Sequence, residues 1–219
     1  MIDDDDPFTP PPRQQPCDLY LISPADVSGD FAARLKDAVA HQAVTAFQLR
    51  LKGTESHDVA RAAAPLQEIC AEADVAFIVN DDVAMAKRLD ADGVHLGQGD
   101  GDVRDARAVL GPSKQIGVTC HASRHLAMEA GEAGADYVAF GSFFPSATKP
   151  SEHRPEPPIL SWWAGLFELP CVAIGGITAE NCAPLVRAGA DFLAVSQAVW
   201  SARDVTAAIE AFVPNLNEG

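Results

Sequence analysis

Glu132-Ala133-Gly134-Ala135-Asp136-Tyr137-Val138-Ala139-Phe140-Gly141 and Arg187-Ala188-Gly189-Ala190-Asp191-Phe192-Leu193-Ala194-Val195-Ser196 follow one pattern. In each, a helical run ends at a glycine, which closes the helix by entering the left-handed region, and an apolar run of strand length follows. Ala91-Asp92-Gly93 is a shorter relative of the same joint. From Cys17 onward, short apolar runs alternate with Ala-rich amphipathic ones to the end of the chain. The runs predict strands over 19–23, 46–50, 76–80, 93–96, 115–119, 137–141, 171–175 and 192–196. Helices are predicted over 30–41, 56–73, 83–89, 103–110, 123–133, 158–167, 179–188 and 202–212. Strict alternation of the two is the mark of a parallel α/β fold. Eight units in about 200 residues suit a compact (β/α)8 TIM barrel in a single domain over 17–219, with a doubly wound open sheet as the alternative.

Residues 1–16 contain four consecutive aspartates, five prolines and few apolar side chains, too little to offset chain entropy, so a disordered acidic tail is expected there. The rest is ordinary for a folded chain, with 47% hydrophobic residues in 219. No apolar run reaches about 18 residues and the N-terminus is acidic where a signal peptide is basic, so the expectation is a cytoplasmic protein without a membrane partner. The five cysteines form no CxxC pair and sit mostly in apolar stretches, which reads as reduced core thiols. A formal net charge of -15 opposes nucleic acid as a partner. It does not oppose a small phosphorylated substrate, because salt screens surface charge beyond roughly 8 Å and a few inward cations can govern a cleft. The sequence leaves room for a homo-oligomer.

In a barrel the working residues lie at the C-terminal strand ends, and the unusual residues here cluster there. In Gln48-Leu49-Arg50-Leu51-Lys52, alternation turns Gln48, Arg50 and Lys52 to one side and the two leucines to the other. Gly141 opens a loop that ends Ser146-Ala147-Thr148-Lys149, two hydroxyls and a cation suited to an anion. Asn80, Asp81, His95, Asp100, Thr119, Gly176, Ser196 and Gln197 fall at the other strand ends. Asp81 and Asp100 follow neighbouring strands, and two converging carboxylates call for a cation; Mg2+ fits, since it takes few protein ligands and fills its shell from phosphate and water. Alternatively Asp81 caps the helix that begins near Val83, and Asp82 could exchange roles with it. Gly175-Gly176 with Thr178 as a helix cap would offer backbone donors to a phosphate, and a plain tight turn is the other reading.

Taken in order, Gln48-Leu49-Arg50-Leu51-Lys52, Asn80-Asp81, His95-Leu96-Gly97-Gln98-Gly99-Asp100, Gly117-Val118-Thr119-Cys120-His121, the loop over 141–149, Ala173-Ile174-Gly175-Gly176-Ile177 and Ala194-Val195-Ser196-Gln197 resemble the thiamine phosphate synthase family. That family's pattern runs QLRxK, ND, HLGQxD, GVSxH, GPxxPTxTK, AIGGI and a VVSA-like final strand. The resemblance implies a (β/α)8 barrel that joins 4-amino-2-methyl-5-hydroxymethylpyrimidine diphosphate to thiazole phosphate, giving thiamine phosphate and pyrophosphate with Mg2+. It implies that the run Gln48, Leu49, Arg50, Leu51, Lys52 together with Asn80, Thr119 and Lys149 holds the pyrimidine and its diphosphate. Asp81 and Asp100 would hold the metal, and Ser146, Ala147, Thr148, Gly176, Ser196 and Gln197 the thiazole phosphate. Arg50, Lys52 and Lys149 would be the catalytic cations. Thr119 and Ser146 replace a serine and a threonine and keep the hydroxyl, while Gln197 replaces a serine and shifts any phosphate contact there toward the backbone.

Two other functions fit parts of the chain. A thiazole tautomerase on a similar barrel could use His121, but it has no need of the cations and carboxylates. A noncatalytic precursor-binding barrel would have no need to stabilise a leaving group. The proline-rich segment over 150–158 reads as a loop that either closes over the site or simply connects.

Overall fold

A computed structural model describes residues 16–145 and 154–217. The strands are β1 (Asp18–Ile22), β2 (Val44–Leu49), β3 (Ala76–Asn80), β4 (Gly93–Leu96), β5 (Gln115–His121), β6 (Tyr137–Gly141), β7 (Cys171–Ile174) and β8 (Phe192–Val195). The helices are α1 (Phe31–Val39), α2 (Ser56–Glu72), α3 (Val83–Leu89), α4 (Val103–Leu110), α5 (Arg124–Ala133), α6 (Pro158–Leu166), α7 (Ala183–Arg187), α8 (Gln197–Trp200), α9 (Val205–Glu210) and α10 (Val213–Leu216). All strands run parallel in the order β1 to β8, and β8 pairs with β1 to close the barrel. The open-sheet alternative is excluded. Among the described residues no helix is long and apolar enough to cross a membrane.

The Gly-Ala-Asp joint has a definite structural job. Gly134 closes α5 with φ +97, and the Ala135 amide reaches back to the Ala130 carbonyl. Asp136 then clips the start of its strand to the start of the preceding one: its amide donates to the Ile116 carbonyl and its carboxylate accepts the Ile116 N–H at 2.7 Å. Asp191 does the same to Cys171, and Asp92 to Phe77, with carboxylate contacts of 2.8 and 2.7 Å. Arg107 adds an ion pair to Asp136. Three of the eight strands are therefore registered from the N-terminal face by the residue that makes the sequence pattern recognisable.

Apolar side chains form two separate bodies. The larger lies between barrel and helices and holds Leu49, Phe47, Phe77, Phe140, Trp163 and all five buried cysteines. The smaller fills the lumen with Tyr20, Ile78, Tyr137, Ala139, Val172 and Ala194. This inside–outside alternation is the period of two that parallel strands impose.

The late helices differ from expectation. The run over 179–188 forms only α7, because the Asn181 side chain accepts the Thr178 N–H at 2.8 Å, donates to the Gly176 carbonyl at 3.0 Å, and holds that segment as a loop. Thr178 is therefore not the cap of a helix. The run over 202–212 yields α9, with α10 opening separately on Pro214. The helix α8, not expected from the sequence, follows β8 directly.

Candidate active site at the C-terminal mouth of the barrel

Strand order brings the ends of β2, β3 and β4 side by side, and the charged residues meet there. Arg50 is the first residue past β2, anchored where its N–H donates to Ser23 Oγ at 2.9 Å. Lys52 lies two residues on, with Nζ 2.9 Å from Asp81 Oδ2. Asp81 follows β3 in the left-handed region at φ +66, its N–H donating to the His95 carbonyl at 2.8 Å. Asp82, not Asp81, caps α3 by accepting the Met85 N–H at 2.8 Å. That division leaves the Asp81 carboxylate for Lys52 and for Asp100. Asp100 is fixed by the Gly97 N–H at 3.0 Å. Its carboxyl is held above the usual range, first by desolvation and then by hydrogen bonding and charge repulsion from Asp81, with the Gly97 amide and Lys52 opposing. Two acidic groups in contact, one of them paired with an ammonium, make a place where positive charge is wanted.

The lumen beneath is polar along a single line. Gln48, buried on the inner side of β2, donates from Nε2 to Tyr20 Oη at 3.1 Å. Tyr20 and Tyr137 hydroxyls lie 2.9 Å apart. Tyr137 Oη lies 3.1 Å from His95 Nδ1, and His95 Nε2 lies 2.8 Å from Thr119 Oγ1. Burial lowers the His95 pKa from 6.5 to about 4, only partly opposed by the Asp100 charge, so the ring is neutral. Burial likewise raises the Tyr20 and Tyr137 hydroxyls above 10, keeping both protonated. Gln48 and Thr119 thus sit at the two ends of a chain that sequence reading treats as separate residues. The two tyrosines escape that reading; their inward register on β1 and β6 is the signal that could have found them.

On the far side, Gly175 and Gly176 both take positive φ, and a Cβ on either would collide with the loop after β6: at 175 with Ser142, at 176 with the Pro145 carbonyl and with the Phe144 carbonyl at 2.8 Å. The loop runs alongside β7, with Phe143 and Phe144 amides donating to the Ile174 and Gly175 carbonyls. The glycines therefore serve as a turn and a close approach together, which brings the start of the 141–149 loop onto Gly176. Ser146, Ala147, Thr148 and Lys149 lie outside the described residues, as does the first part of the proline-rich segment, 150–153. Ser196 and Gln197 line a cavity of about 540 Å³ with Pro24, Asp26, Arg34 and Trp200. Arg34 ties α8 down by donating to the Trp200 and Ala202 carbonyls, both at 2.8 Å. Leu49 belongs to the layer under the helices and Leu51 packs against it, so their side chains face away from the mouth. Asn80 is the last residue of β3, paired in register with His95.

A family model described as thiamine monophosphate synthase matches residues 19–199. The chain belongs to that family. It is 62% identical over 205 residues to the thiamine-phosphate synthase of Erythrobacter litoralis, covering 92% of this chain and 96% of the relative. It is 50% identical over 186 residues to the enzyme of the same name from Rhodospirillum centenum, covering 84% and 90%. Among solved structures, the thiamine phosphate pyrophosphorylase of Pyrococcus furiosus superposes with a TM-score of 0.81 at 32% identity, covering 92% of this chain and 96% of that one. Coverage this complete means that family membership concerns the whole barrel, both its N-terminal clips and its charged mouth.

Proposed function

We propose that this chain is a thiamine-phosphate synthase, joining 4-amino-2-methyl-5-hydroxymethylpyrimidine diphosphate to thiazole phosphate and releasing pyrophosphate. The observation that carries the reading is the Lys52–Asp81–Asp100 cluster beside Arg50 at the strand ends. A tautomerase or a passive binder has no use for cations and paired carboxylates set around a leaving group.

The residues suit a dissociative displacement. The C–O bond to the diphosphate breaks, a pyrimidine methyl cation forms, and the thiazole nitrogen attacks it, so no protein nucleophile is needed. Arg50, Lys52 and Lys149 bind the charge that gathers on the departing pyrophosphate, and preorganised electrostatic help of this kind usually contributes most to catalysis. Gln48, Asn80 and Thr119 orient the pyrimidine. Gly176, Ser196 and Gln197, with Ser146 to Thr148, receive the thiazole phosphate.

Asp81 and Asp100 fit Mg2+. They are hard oxygen donors in mutual repulsion, and among the described residues no group of three or more acidic, His or Cys side chains gathers, so the rest of a shell must come from substrate phosphates and water. When bound, the metal supplies further charge neutralisation to the leaving group. The small-molecule substrates and the buried thiols suit a cytoplasmic enzyme.

The test measures thiamine phosphate and pyrophosphate formed from both precursors, with and without Mg2+, in the wild type and in Lys149→Ala. Stoichiometric, metal-dependent products that fall by about 10²- to 10³-fold in the variant are expected. Isomerisation of the thiazole without coupling, or binding without turnover, would replace the proposal by one of the other two functions.

A further inference from the structure

The sequence contains two tyrosines, and both are buried in the lumen with their hydroxyls bonded to each other. A lumen layer can be filled by aliphatic side chains alone, and a buried hydroxyl is costly unless bonded. Each tyrosine also reaches a polar residue at the mouth: Tyr20 reaches Gln48, and Tyr137 reaches His95, which in turn touches Thr119. Gly117 is part of the same arrangement, because a Cβ at that position would overlap the Tyr137 ring and hydroxyl.

The Tyr20–Tyr137 and Tyr137–His95 contacts do not by themselves fix which atom donates, but giving every buried O–H an acceptor allows the chain one direction. Gln48 Nε2 can only donate, so Tyr20 Oη accepts from it and gives its own proton to Tyr137 Oη. Tyr137 in turn gives its proton to His95 Nδ1, leaving the proton of the neutral imidazole on Nε2, which donates to Thr119 Oγ1. Thr119 is then left with a hydroxyl proton to give, and Gln48 with its carbonyl oxygen to accept. An aminopyrimidine needs that pair, because its ring nitrogens accept and its exocyclic amine donates.

We infer that Tyr20 and Tyr137 are positioning residues, whose one-way hydrogen-bond chain holds His95 as the Nε2–H tautomer and so makes Thr119 a donor and Gln48 an acceptor toward the pyrimidine. The inference rests on the synthase reading for the identity of the ligand but not for the chain itself. Neither tyrosine touches substrate; both act through Gln48 and Thr119.

The tautomer is read by long-range 1H–15N correlation on the substrate-free protein. The expected spectrum shows His95 protonated at Nε2 in the wild type and still at Nε2 in Tyr137→Phe, with the Nδ1 resonance moved toward that of an unbonded acceptor because it has lost its donor. A wild-type Nδ1–H tautomer, or an Nδ1 resonance unmoved in Tyr137→Phe, overturns the inference. Steady-state kinetics gives the second arm: Tyr137→Phe and Tyr20→Phe should each lower kcat/KM for the pyrimidine diphosphate by roughly tenfold, with KM for thiazole phosphate unchanged. Equal losses on both substrates would indicate general loosening and count against it, as would losses under about twofold. If Tyr137→Phe does not fold, the wild-type tautomer and Tyr20→Phe still decide. A wild type that makes no thiamine phosphate removes the synthase reading and leaves the NMR result to stand by itself.

Discussion

Acidification should destabilise this barrel through His95 in a way that can be isolated and sized. The imidazole is 7% exposed, and burial lowers its pKa from 6.5 to about 4. The unfolded chain therefore takes up a proton near the ordinary value while the folded one refuses it until much lower pH. Over that window the unfolded state binds more protons, so stability falls as pH falls and levels off below the folded pKa. The whole window is worth roughly 3 kcal/mol, and the part between about pH 7 and about pH 5 roughly 2 kcal/mol. With a urea dependence of about 2 kcal/mol per molar, the unfolding midpoint should drop by about 1 M from this residue alone. Other groups titrate too, so the assay compares the wild type with His95→Gln, which keeps a donor near Thr119 and has no proton to gain. Urea titrations at both pH values should show a wild-type loss larger than the variant's by about 2 kcal/mol. Equal losses in the two proteins would refute the claim that a buried neutral imidazole underlies the acid sensitivity.

Three further outcomes follow from the geometry. Asp191→Ala removes the carboxylate that accepts the Cys171 N–H at 2.8 Å, and leaving that backbone donor without its partner should cost about 1–3 kcal/mol in urea unfolding while KM for both substrates is unchanged. Asp100→Asn removes a carboxylate held above its usual pKa by desolvation and by Asp81; its charge disfavours folding as pH rises through the folded pKa, so the variant should melt higher at neutral pH, lose that advantage in acid, and lose metal-dependent turnover, all visible by calorimetry beside the product assay. Gly176→Ala meets the Phe144 carbonyl at 2.8 Å from a left-handed backbone position, so it should raise KM for thiazole phosphate far more than KM for the pyrimidine diphosphate.

The barrel was legible because its period is local. Glycine closures and apolar runs repeat along the chain, and each marks a joint whose meaning does not depend on distant residues. The Asp of the joint shows the limit of such reading. Its position in the repeat is visible in sequence, but its contact with the preceding strand exists only once the strands are paired. The charged mouth was legible for the same reason of alternation, which turns Gln48 inward and Leu49 outward. Asp81 and Asp82 were interchangeable on paper, because either can cap a helix; the left-handed turn at Asp81 is what separates them. The helix expected over 179–188 is shortened because Pro184 is tolerated only in a first turn, where α7 places it, and because the Asn181 side chain offers the preceding loop backbone its own partners.

The division of labour between the two ends of the barrel explains why its polar residues are not interchangeable. At the N-terminal face, carboxylates satisfy backbone amides and fix register, so their replacement should be felt in stability. At the mouth, Asp81 and Asp100 are set against each other, and among the described residues the Gly97 amide and the ammonium of Lys52 offset part of the repulsion. A protein selected for stability alone would replace one of them by an amide. Keeping both stores a demand for positive charge at the place where, under the proposed function, a metal-bound diphosphate would supply it and relieve the repulsion. The same reasoning applies to the lumen: a chain of five polar side chains is a poor substitute for an aliphatic layer in stability, yet each bond fixes the donor or acceptor sense of the next. Stability is given up at the mouth and in the lumen, where the proposed function would orient its ligand, and recovered at the N-terminal face, where carboxylates meet backbone amides.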